Sequence, residues 1–541
     1  MKRKLAIIAA LLLVLSAAAS AQTRSFKFGK WTELHYAILK ELNRSYVDTL
    51  DIDRIERAGV DAMLDDLDPY TIFVPEEEDE DLQMMINKTY GGIGAVIYKP
   101  EKSGNVIINE PYAGSPAAKA GLVCGDEIMA IDGKTVEGLT SQECSDRMRG
   151  DPDTKVVFKV KKLRSGDIKN VTIVREAIHL PDVEYYGMLD ATTGYILQSG
   201  FTEGVSGQVK NAILDLKKKG MTKLILDLRG NGGGLLTEAV DIVSLFVPKG
   251  SLVVSAKGRG GDKMYECRTT KSPVDTEMPV VILVDSASAS ASEIVSGALQ
   301  DLDRATVMGN RTFGKGLVQS IVPLPYGASM KVTTAKYYTP SGRCVQAIDY
   351  SNRNEDGSVG HIPDSLTHEF TTVHGRKVRD GGGITPDVKI DAKNYSRLTY
   401  SLVLNGVVEQ YALEFVRKHA SIPAVDDFSL SDEDYKDFIE FAKGKKFDYR
   451  SSAKTYFDVM KEEIGKDGLT EAMSSQIDAL GKALDMEKEE FLMLKKDEIV
   501  PFIEEEIVVR YYFQSAGVKL RIRYDEQLKK AMESPLIEKF N

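Results

Sequence analysis

Cysteine and tryptophan are scarce in this sequence: its 541 residues include four cysteines and one tryptophan. Four cysteines are too few for a disulfide scaffold, and their spacing matches no metal site. We interpret them as structural thiols, although an exported protein could form disulfides whose pairing a sequence does not reveal. No metal and no cofactor are expected. The cysteines are Cys124, Cys144, Cys267 and Cys344.

Positive charge is also in deficit. The formal net charge is −11, which argues against binding to nucleic acid or to an anionic membrane. The one long apolar run, Leu5 to Leu15, follows Met1-Lys-Arg-Lys and precedes Ala19-Ser20-Ala21. That order is typical of a secretory signal peptide with cleavage near Ala21. A membrane anchor is the weaker interpretation because the run is too short to span a bilayer comfortably. We expect a periplasmic protein without stable membrane insertion.

The length and the local patterns predict several domains, each with its own core. Near the start, Trp31, Leu34 and Ile38 recur at helical spacing, and we expect His35 to pack beside them. Near the end, charged helix formers dominate, and Ser431-x-x-Asp434 resembles a helix start. The predicted regions are a signal peptide at 1–21, a helical N-terminal region at 22–87, a β-rich module at 88–177, an α/β core at 178–392 and a helical C-terminal domain at 393–541.

The stretch from Asp285 to Gln319 holds the strongest signal for chemistry. The apolar run Val280–Val284 predicts a strand, and apolar residues recur at helical spacing from Glu293 onward. The Ser/Ala-rich turn between them therefore lies where a strand becomes a helix. There a hydroxyl meets free backbone N–H groups and the positive end of the helix dipole. Such a position suits a nucleophile whose product is an oxyanion, although a turn of this composition is usually only a turn.

A base for that serine has to come from elsewhere in the chain. None of the six histidines lies in a recognisable triad setting. Lys315 is the better candidate because it lies between two glycines, after an aromatic residue and among apolar ones. A lysine acts as a base only where an apolar setting disfavours its charge. A short Gly-Lys-Gly turn lets the chain bring that amine close against another backbone.

A second glycine-rich segment, Arg229 to Leu235, follows a strand predicted over 224–228. One interpretation is a strand-to-helix turn that needs flexible residues. A nucleotide-binding loop is disfavoured because no G-K-[ST] or G-x-G-x-x-G pattern follows. A third interpretation is that a glycine amide points into a catalytic cleft, since acyl transfer needs two donors for the developing oxyanion.

The β-rich module begins with Gly91-Gly92-Ile93-Gly94 and a strand predicted over 95–98. A helix over 141–148 and strands over 155–162 and 168–174 complete it. Glycines of this kind alone often form no more than a turn. In a complete module, such a turn can present successive N–H groups to a terminal carboxylate, and the strand can accept a peptide as an added strand.

Several motifs, in this order, closely resemble the C-terminal processing (tail-specific) peptidases. They are Ser290-Ala-Ser-Glu293, Gln300-Asp301, Thr312-Phe-Gly-Lys-Gly316 and Gln319. The resemblance runs from about Leu67 to Val388. It implies that Ser290 is the nucleophile, that Lys315 is the base and that Gln319 orients the amine. It also implies an oxyanion hole.

The implied oxyanion hole consists of the Ala291 amide and an amide of the glycine-rich turn. We favour Gly233 over Gly232 as that second donor, and the choice stays open. A carboxylate near a lysine base would oppose the neutral amine. We therefore interpret Asp301 as structural, holding either Arg304 or the frame of the site.

The β-rich module resembles a PDZ domain, and the resemblance implies binding of free C-termini with apolar last residues. By family analogy the fold class is α/β multidomain. It combines a crotonase- and Clp-like αβ-superhelical protease core with an inserted PDZ domain, a helical N-terminal piece and a helical C-terminal domain. The polar segment 349–380 is interpreted as an insertion-like loop. The implied peptide-binding residues are Gly91, Gly92, Ile93 and Gly94.

The predicted function is a secreted serine endopeptidase that recognises free, apolar C-terminal tails and cleaves through a Ser–Lys dyad. The expected partners are proteins or peptides with free C-termini. The alternative is a catalytically silent scaffold whose PDZ and helical domains organise envelope proteins. A non-peptidase hydrolase on the same core would not explain the tail-binding module. For the C-terminal domain, substrate gating, adaptor binding and homodimerisation stay open.

Overall fold

The computed structural model describes residues 25–78, 84, 88–99, 104–354 and 358–533. The signal peptide predicted at 1–21 lies outside the described residues. The chain divides into two units, Met1–Phe73 and Val74–Asn541. No helix within the described ranges combines the length and the apolar character needed to cross a membrane.

The first unit is helical, as expected. Residues 25–45 form one helix and Ile52–Asp65 form another, whose first turn is capped by the Asp51 carboxylate accepting from the Arg54 amide. The apolar stripe of the first helix is exposed, with Trp31 at 64%. The His35 side chain is also exposed and lies 3.2 Å from a Glu56 carboxylate oxygen. The expectation that His35 packs against this stripe is therefore wrong.

The β-rich module has the predicted order of elements. Its main sheet begins with an edge strand, Ala95–Tyr98, whose one strand partner among the described residues is Val106–Pro111. Strand Lys155–Lys161 alternates exposed and buried residues, so every second side chain enters the core. The other strands are Thr89–Gly92, Glu127–Ile131, Lys134–Thr135, Ile168–Val174 and Glu176–His179, and the helices are Pro116–Lys119 and Ser141–Met148, with a 3-10 turn before them at Glu76–Glu78.

The α/β core is built on a six-stranded sheet. Its central strands, such as Lys223–Asp227 and Val280–Val284, have apolar runs that are buried on both faces of the sheet. These two strands are parallel, and Asp227 pairs with Leu283 at their carboxyl ends. The turns that follow them therefore meet at one edge of the sheet. In spatial order the strands are Val183–Met188, Thr193–Gln198, Lys223–Asp227, Val280–Val284, Thr306–Gly309 and Val388–Lys389.

Helices and a second sheet surround this core. The apolar faces of three helices cover one side of the six-stranded sheet. They are Val205–Lys218, Leu236–Ser244 and Ala291–Asp301. In the second sheet, strand Ser329–Tyr338 lies between Leu317–Pro323 and Leu252–Lys257, and the latter also pairs with Lys263–Arg268. The remaining short elements are the strand Ile72–Val74 and the 3-10 turns Arg259–Gly261 and Asp364–Leu366.

The polar segment 349–380 is more ordered than an insertion-like loop. One hairpin pairs Ile348–Arg353 with Val359–His361, and a second pairs Glu369–Thr371 with Lys377–Arg379. The second hairpin is tied to the end of the helix Ala291–Asp301, because the Val373 amide donates to the Asp301 carbonyl at 2.9 Å. The segment therefore supports the core.

The C-terminal region is helical, as predicted, and has its own apolar core. Ser431 begins one of its helices by accepting a hydrogen bond from the Asp434 amide at 3.0 Å. All four cysteines of the chain are free thiols, in agreement with the sequence interpretation. The helices are Arg397–Leu404, Val407–Lys418, Asp432–Lys443, Ser452–Lys466, Thr470–Leu484, Lys488–Leu494, Lys496–Tyr512, Gln514–Tyr524 and Glu526–Glu533.

Candidate active site

Ser290 lies between the end of strand Val280–Val284 and the start of helix Ala291–Asp301. Its backbone has φ 56° and ψ −112°, a conformation that a non-glycine residue seldom adopts. Strained backbone of this kind persists only where the surroundings impose it, and it clusters at functional sites. The candidate nucleophile is therefore held in place by its neighbours.

The buried carboxylate of Glu293 is the main neighbour. Its Oε2 accepts hydrogen bonds from the amides of Ser290, at 2.9 Å, and Lys315, at 2.8 Å. Its Oε1 accepts from the Gly314 amide, at 2.8 Å, and from the Thr312 hydroxyl, at 2.6 Å. Burial raises the pKa of Glu293, and these donors oppose the rise. One carboxylate thus joins the candidate nucleophile and the candidate base.

The glycines that flank Lys315 allow its loop to approach the chain at 346–347. The Gly316 amide donates to the Gln346 side-chain oxygen at 2.8 Å, and the Gly314 carbonyl accepts from the Ala347 amide at 2.9 Å. A Cβ atom at Gly316 would lie 2.7 Å from the Gln346 nitrogen. The Gly-Lys-Gly turn therefore approaches another backbone closely, whereas the place of the Lys315 amine against that backbone stays a prediction.

Gln319 follows Lys315 on the strand Leu317–Pro323. The pairing of this strand with its neighbour shifts register between Val318 and Gln319, and such bulges redirect a side chain. The Gln319 amide nitrogen donates to the Thr333 hydroxyl at 3.2 Å. The role assigned to Gln319, orienting the Lys315 amine, stays a prediction.

The glycine-rich turn packs directly on the nucleophile. Gly233 has φ 102°, and a Cβ atom there would lie 2.7 Å from the Ser290 Cβ and 2.7 Å from the Ala289 carbonyl oxygen. Only a residue without a side chain fits this position. The turn and the candidate nucleophile are therefore in contact, as the third interpretation of the glycine-rich segment requires.

Buried Asn231 fastens the turn to the start of the nucleophile helix. Its backbone carbonyl accepts from the Ala289 amide, at 3.0 Å, and the Ser292 hydroxyl, at 2.8 Å. Its side chain donates to the Gln198 carbonyl at 2.9 Å and accepts from the Gly233 amide at 2.9 Å. Sequence reasoning missed this residue, because an asparagine among glycines looks like any other turn residue.

The backbone amides near Ser290 differ in whether they already donate a hydrogen bond. The Gly233 amide is engaged by the Asn231 side chain. The amides of Gly232 and Ala291 have no acceptor among the residues that the structure describes. This distinction bears on which glycine serves as the second oxyanion donor.

Comparisons with known proteins agree with this arrangement. Residues 192–351 match the model of peptidase family S41, residues 107–162 match a PDZ domain, and residues 398–534 match the C-terminal helical domain of a probable PDZ-protease. A carboxy-terminal-processing protease of Bartonella bacilliformis is 36% identical over 315 residues, which are 58% of this chain and 71% of that protein. This chain belongs to the carboxy-terminal-processing peptidases.

Other relatives of this peptidase bear similar names. A probable CtpA-like serine protease of Staphylococcus aureus is 33% identical over 362 residues, which are 67% of this chain and 65% of that protein. The solved photosystem II D1 C-terminal processing protease is 26% identical, with a TM-score of 0.37, and the match covers 66% of this chain and 86% of that one. The family S41 match, the PDZ match and the named curated relatives identify the chain as a serine-type peptidase with a PDZ domain.

The PDZ domain of this peptidase places the predicted peptide-binding glycines beside its edge strand. The Ile93 and Gly94 carbonyls accept from the Ala117 and Tyr112 amides, each at 2.9 Å. The amides of Ile93 and Gly94 have no acceptor within the described part of the chain. Helix Ser141–Met148 contacts the edge strand Ala95–Tyr98, which directly follows these glycines in the sequence. A loop of unpaired amides, an open strand edge and a helix therefore converge.

Two structural contacts of the peptidase core could not be read from the sequence. The Tyr337 hydroxyl, on a side chain only 1% exposed, donates to the Ser290 carbonyl at 3.2 Å. Asp301 pairs with the buried Arg343 at 2.8 Å and accepts from the Ser341 amide at 3.0 Å. Arg304 donates instead to backbone carbonyls. Asp301 therefore does not hold Arg304, and its support of the frame of the site stays a prediction.

Replacing Gly233 by alanine is expected to lower the kcat/KM of the peptidase about 100-fold. The new methyl group would meet Ser290 and Ala289, and a displacement of about 1 Å in a catalytic group costs roughly that factor. Steady-state cleavage of an unfolded protein substrate measures the effect. Gly220→Ala is the matched control, because Gly220 has a similar φ of 99° but its nearest contact for a Cβ atom is 3.6 Å away. Equal activity of both variants would contradict the role of close contact.

Proposed function

We propose that this carboxy-terminal-processing peptidase cleaves peptide bonds with a Ser290–Lys315 dyad and captures protein tails with its PDZ domain. The observation that carries the proposal is the Glu293 carboxylate, whose Oε2 accepts from both the Ser290 and the Lys315 amides. The two amide nitrogens are therefore no further apart than the sum of those two short distances.

In the proposed reaction, the Ser290 hydroxyl attacks the scissile carbonyl while the neutral Lys315 amine takes its proton. The protonated amine then gives that proton to the leaving amine, and an acyl-enzyme remains on Ser290. Water attacks the ester with Lys315 again as the base, which releases the new carboxylate and restores the serine. Gln319 holds the amine in position.

The oxyanion of each tetrahedral intermediate would accept hydrogen bonds from two backbone amides. We propose the Ala291 amide as the first donor. For the second, the bond from the Gly233 amide to Asn231 favours the Gly232 amide, with Gly233 needed for its lack of a side chain. The sequence preference for Gly233 as donor is thereby revised in favour of its neighbour.

We propose that the loop Gly91-Gly92-Ile93-Gly94 receives the terminal carboxylate of a substrate. The Ile93 carbonyl is bonded within the domain, so the Gly94 amide, which belongs to the same peptide unit, faces away from that bond. The tail would then add as a strand to the edge of Ala95–Tyr98. Apolar last residues would fit between that strand and helix Ser141–Met148. Holding one end of the chain raises its concentration at the cleft.

Amidation of the substrate C-terminus is expected to lower kcat/KM by about 10- to 100-fold. Hydrogen bonds to a charged group contribute about 1.5–3 kcal/mol, and the amide group has lost that charge. The measurement compares an unfolded reporter protein with a free apolar tail against the same protein amidated, with the Ser290→Ala variant as the background. Gly94→Ala should reduce the difference between the two reporters, because a Cβ atom there would lie 2.6 Å from the Ser115 Cβ.

The matched control for Gly94→Ala is Gly133→Ala in the same domain. Gly133 has a similar φ of 76° but open space around it. It should discriminate between the two reporters as the wild type does. If the wild type cleaves both reporters equally, the tail-binding proposal is wrong. If the wild type cleaves neither reporter, the scaffold alternative is favoured, whereas cleavage by Ser290→Ala would exclude Ser290 as the nucleophile.

We also propose export of this peptidase to the periplasm, supported by the signal-peptide pattern over residues 1–21. The domain limits proposed above accompany this assignment: 22–87, 88–177, 178–392 and 393–541. Homodimerisation and binding of an adaptor protein are both compatible with the helical C-terminal domain. Sedimentation of the purified protein, alone and with candidate adaptors, distinguishes these two arrangements.

A further inference from the structure

The last described helix, Glu526–Glu533, lies on the catalytic sheet, away from the core of the C-terminal domain. Leu528 is 1% exposed and packs with apolar residues of the central strands, including Ile225 and Val281. The Lys223 amine donates to two carbonyls at the end of this helix, at 3.2 and 3.1 Å. The side of the sheet opposite the nucleophile helix is therefore covered by a segment that begins more than two hundred residues after Ser290.

The start of this segment holds the arginine that opens the glycine-rich turn. The Arg229 guanidinium donates to the Asp525 carboxylate at 2.5 Å and to the Gln527 side-chain oxygen at 2.9 Å. It also donates to Asp227 at 2.9 Å. Burial works against the charged guanidinium, but the two carboxylates outweigh it and raise the pKa of Arg229. The arginine is thus a permanent cation clamped between the sheet and the C-terminal segment.

Asp525 and Gln527 form a clamp on Arg229, and each of them makes a second hydrogen bond elsewhere. The Asp525 carboxylate also accepts from the Leu528 amide at 2.9 Å, so it caps the helix that follows. The Gln527 side chain donates to the Ile390 carbonyl at 2.7 Å. Neither side chain can turn away from Arg229 without losing a second bond.

Arg229 in turn determines where the glycine-rich turn begins. Glycines lose more conformational freedom on folding than other residues, so a turn rich in them depends on fixed residues at its ends. The Arg229 amide donates to Asp227, at 3.0 Å, and the next amide, of Gly230, donates to Asp285, also at 3.0 Å. The turn before Gly232 is thus anchored at Arg229, at Gly230 and at Asn231.

We propose that Asp525 and Gln527 are positioning residues of the peptidase reaction. By holding Arg229 they fix the turn whose amide receives the oxyanion, and acylation requires the end of the C-terminal domain to be docked. This inference rests on the proposed function, because it requires the turn to form the oxyanion hole. It assigns to the helical C-terminal domain a part in catalysis in addition to any contact with partners.

The test uses the full chain with Asp525→Asn, Gln527→Met and the conservative Asp525→Glu. Asparagine keeps an acceptor for the helix cap but removes the charge that faces Arg229. We expect kcat to fall about 10- to 100-fold with an unchanged KM, as for a small displacement of a catalytic group. Asp525→Glu should recover part of the lost kcat. Lys223→Gln is the matched control, because it loosens the same helix without touching Arg229, and its kcat should stay at the wild-type value.

The outcomes separate the inference from the function on which it rests. Wild-type kcat in both Asp525→Asn and Gln527→Met overturns it, and so does an equal loss of kcat in Lys223→Gln. If Asp525→Asn does not fold, Gln527→Met decides by the same criterion. The Ser290→Ala variant in the same assay tests the proposed function separately. Cleavage by Ser290→Ala would disprove the dyad, whereas the outcomes above concern only the role of Asp525 and Gln527.

Discussion

The Lys315→Met variant is expected to fold like the wild type and to lose at least about 10⁴-fold in kcat/KM. Loss of a general base costs about 10²–10⁴ in rate, and here the same amine must also protonate the leaving group. Methionine has a similar length and no charge, so the Gly-Lys-Gly turn and its backbone bonds to Glu293 and Gln346 can persist. Cleavage of the unfolded reporter with a free tail measures the loss, and thermal unfolding checks the fold.

Lys336→Met is the matched control for that experiment. Lys336 lies on the neighbouring strand, opposite Leu317, and its side chain is exposed. Its loss should leave the rate unchanged, because the amine faces solvent. A serine-reactive fluorophosphonate should label Ser290 in the control and fail to label it in Lys315→Met. Substantial cleavage by Lys315→Met would show that another group activates the serine, and the dyad would have to be abandoned.

The second large effect is expected at Glu293. Each of its two oxygens accepts two hydrogen bonds. In Glu293→Gln one oxygen becomes an NH₂ group, which donates and cannot accept. Two donors of the site would then face a third, so we expect a loss of about 2–4 kcal/mol in the free energy of unfolding. We also expect a fall of at least about 10²-fold in kcat/KM, because the turns that carry Ser290 and Lys315 would separate.

Chemical denaturation and steady-state kinetics of Glu293→Gln provide the measurement. Glu238→Gln is a suitable control, since Glu238 is another buried carboxylate of the core, 8% exposed, whose donors are the Gly204 and Ser206 amides. It should lose stability without a comparable loss of kcat/KM. If the two variants lose activity equally at equal stability, Glu293 has only a structural role.

Sequence reasoning identified only part of the role of the Glu293 carboxylate. The spacing Ser290-x-x-Glu293 is that of a capping box, and a carboxylate in a first helical turn is favourable for that reason alone. The sequence therefore accounts for the bond to the Ser290 amide. It contains no signal for the bonds to Thr312, Gly314 and Lys315, which come from a loop about twenty residues later.

The sequence by itself determined the local elements, because their signals lie within a few neighbouring residues. The apolar run Val280–Val284 is the predicted strand, and the helix predicted over 141–148 has those bounds. Periodicity and capping depend on backbone geometry that repeats over one or two turns. The order of the motifs likewise was enough to indicate the family.

The tertiary structure alone decided which distant groups meet. Asp301 pairs with Arg343 and not with Arg304, three residues away, because a separate turn of the core places Arg343 beside it. Arg229 meets Asp525 across almost three hundred residues. Such pairs depend on how layers pack, and side-chain spacing along one segment carries no information about distances to another. The sequence therefore determined the local secondary structure, whereas the contacts between distant residues that hold the site depend on the tertiary fold.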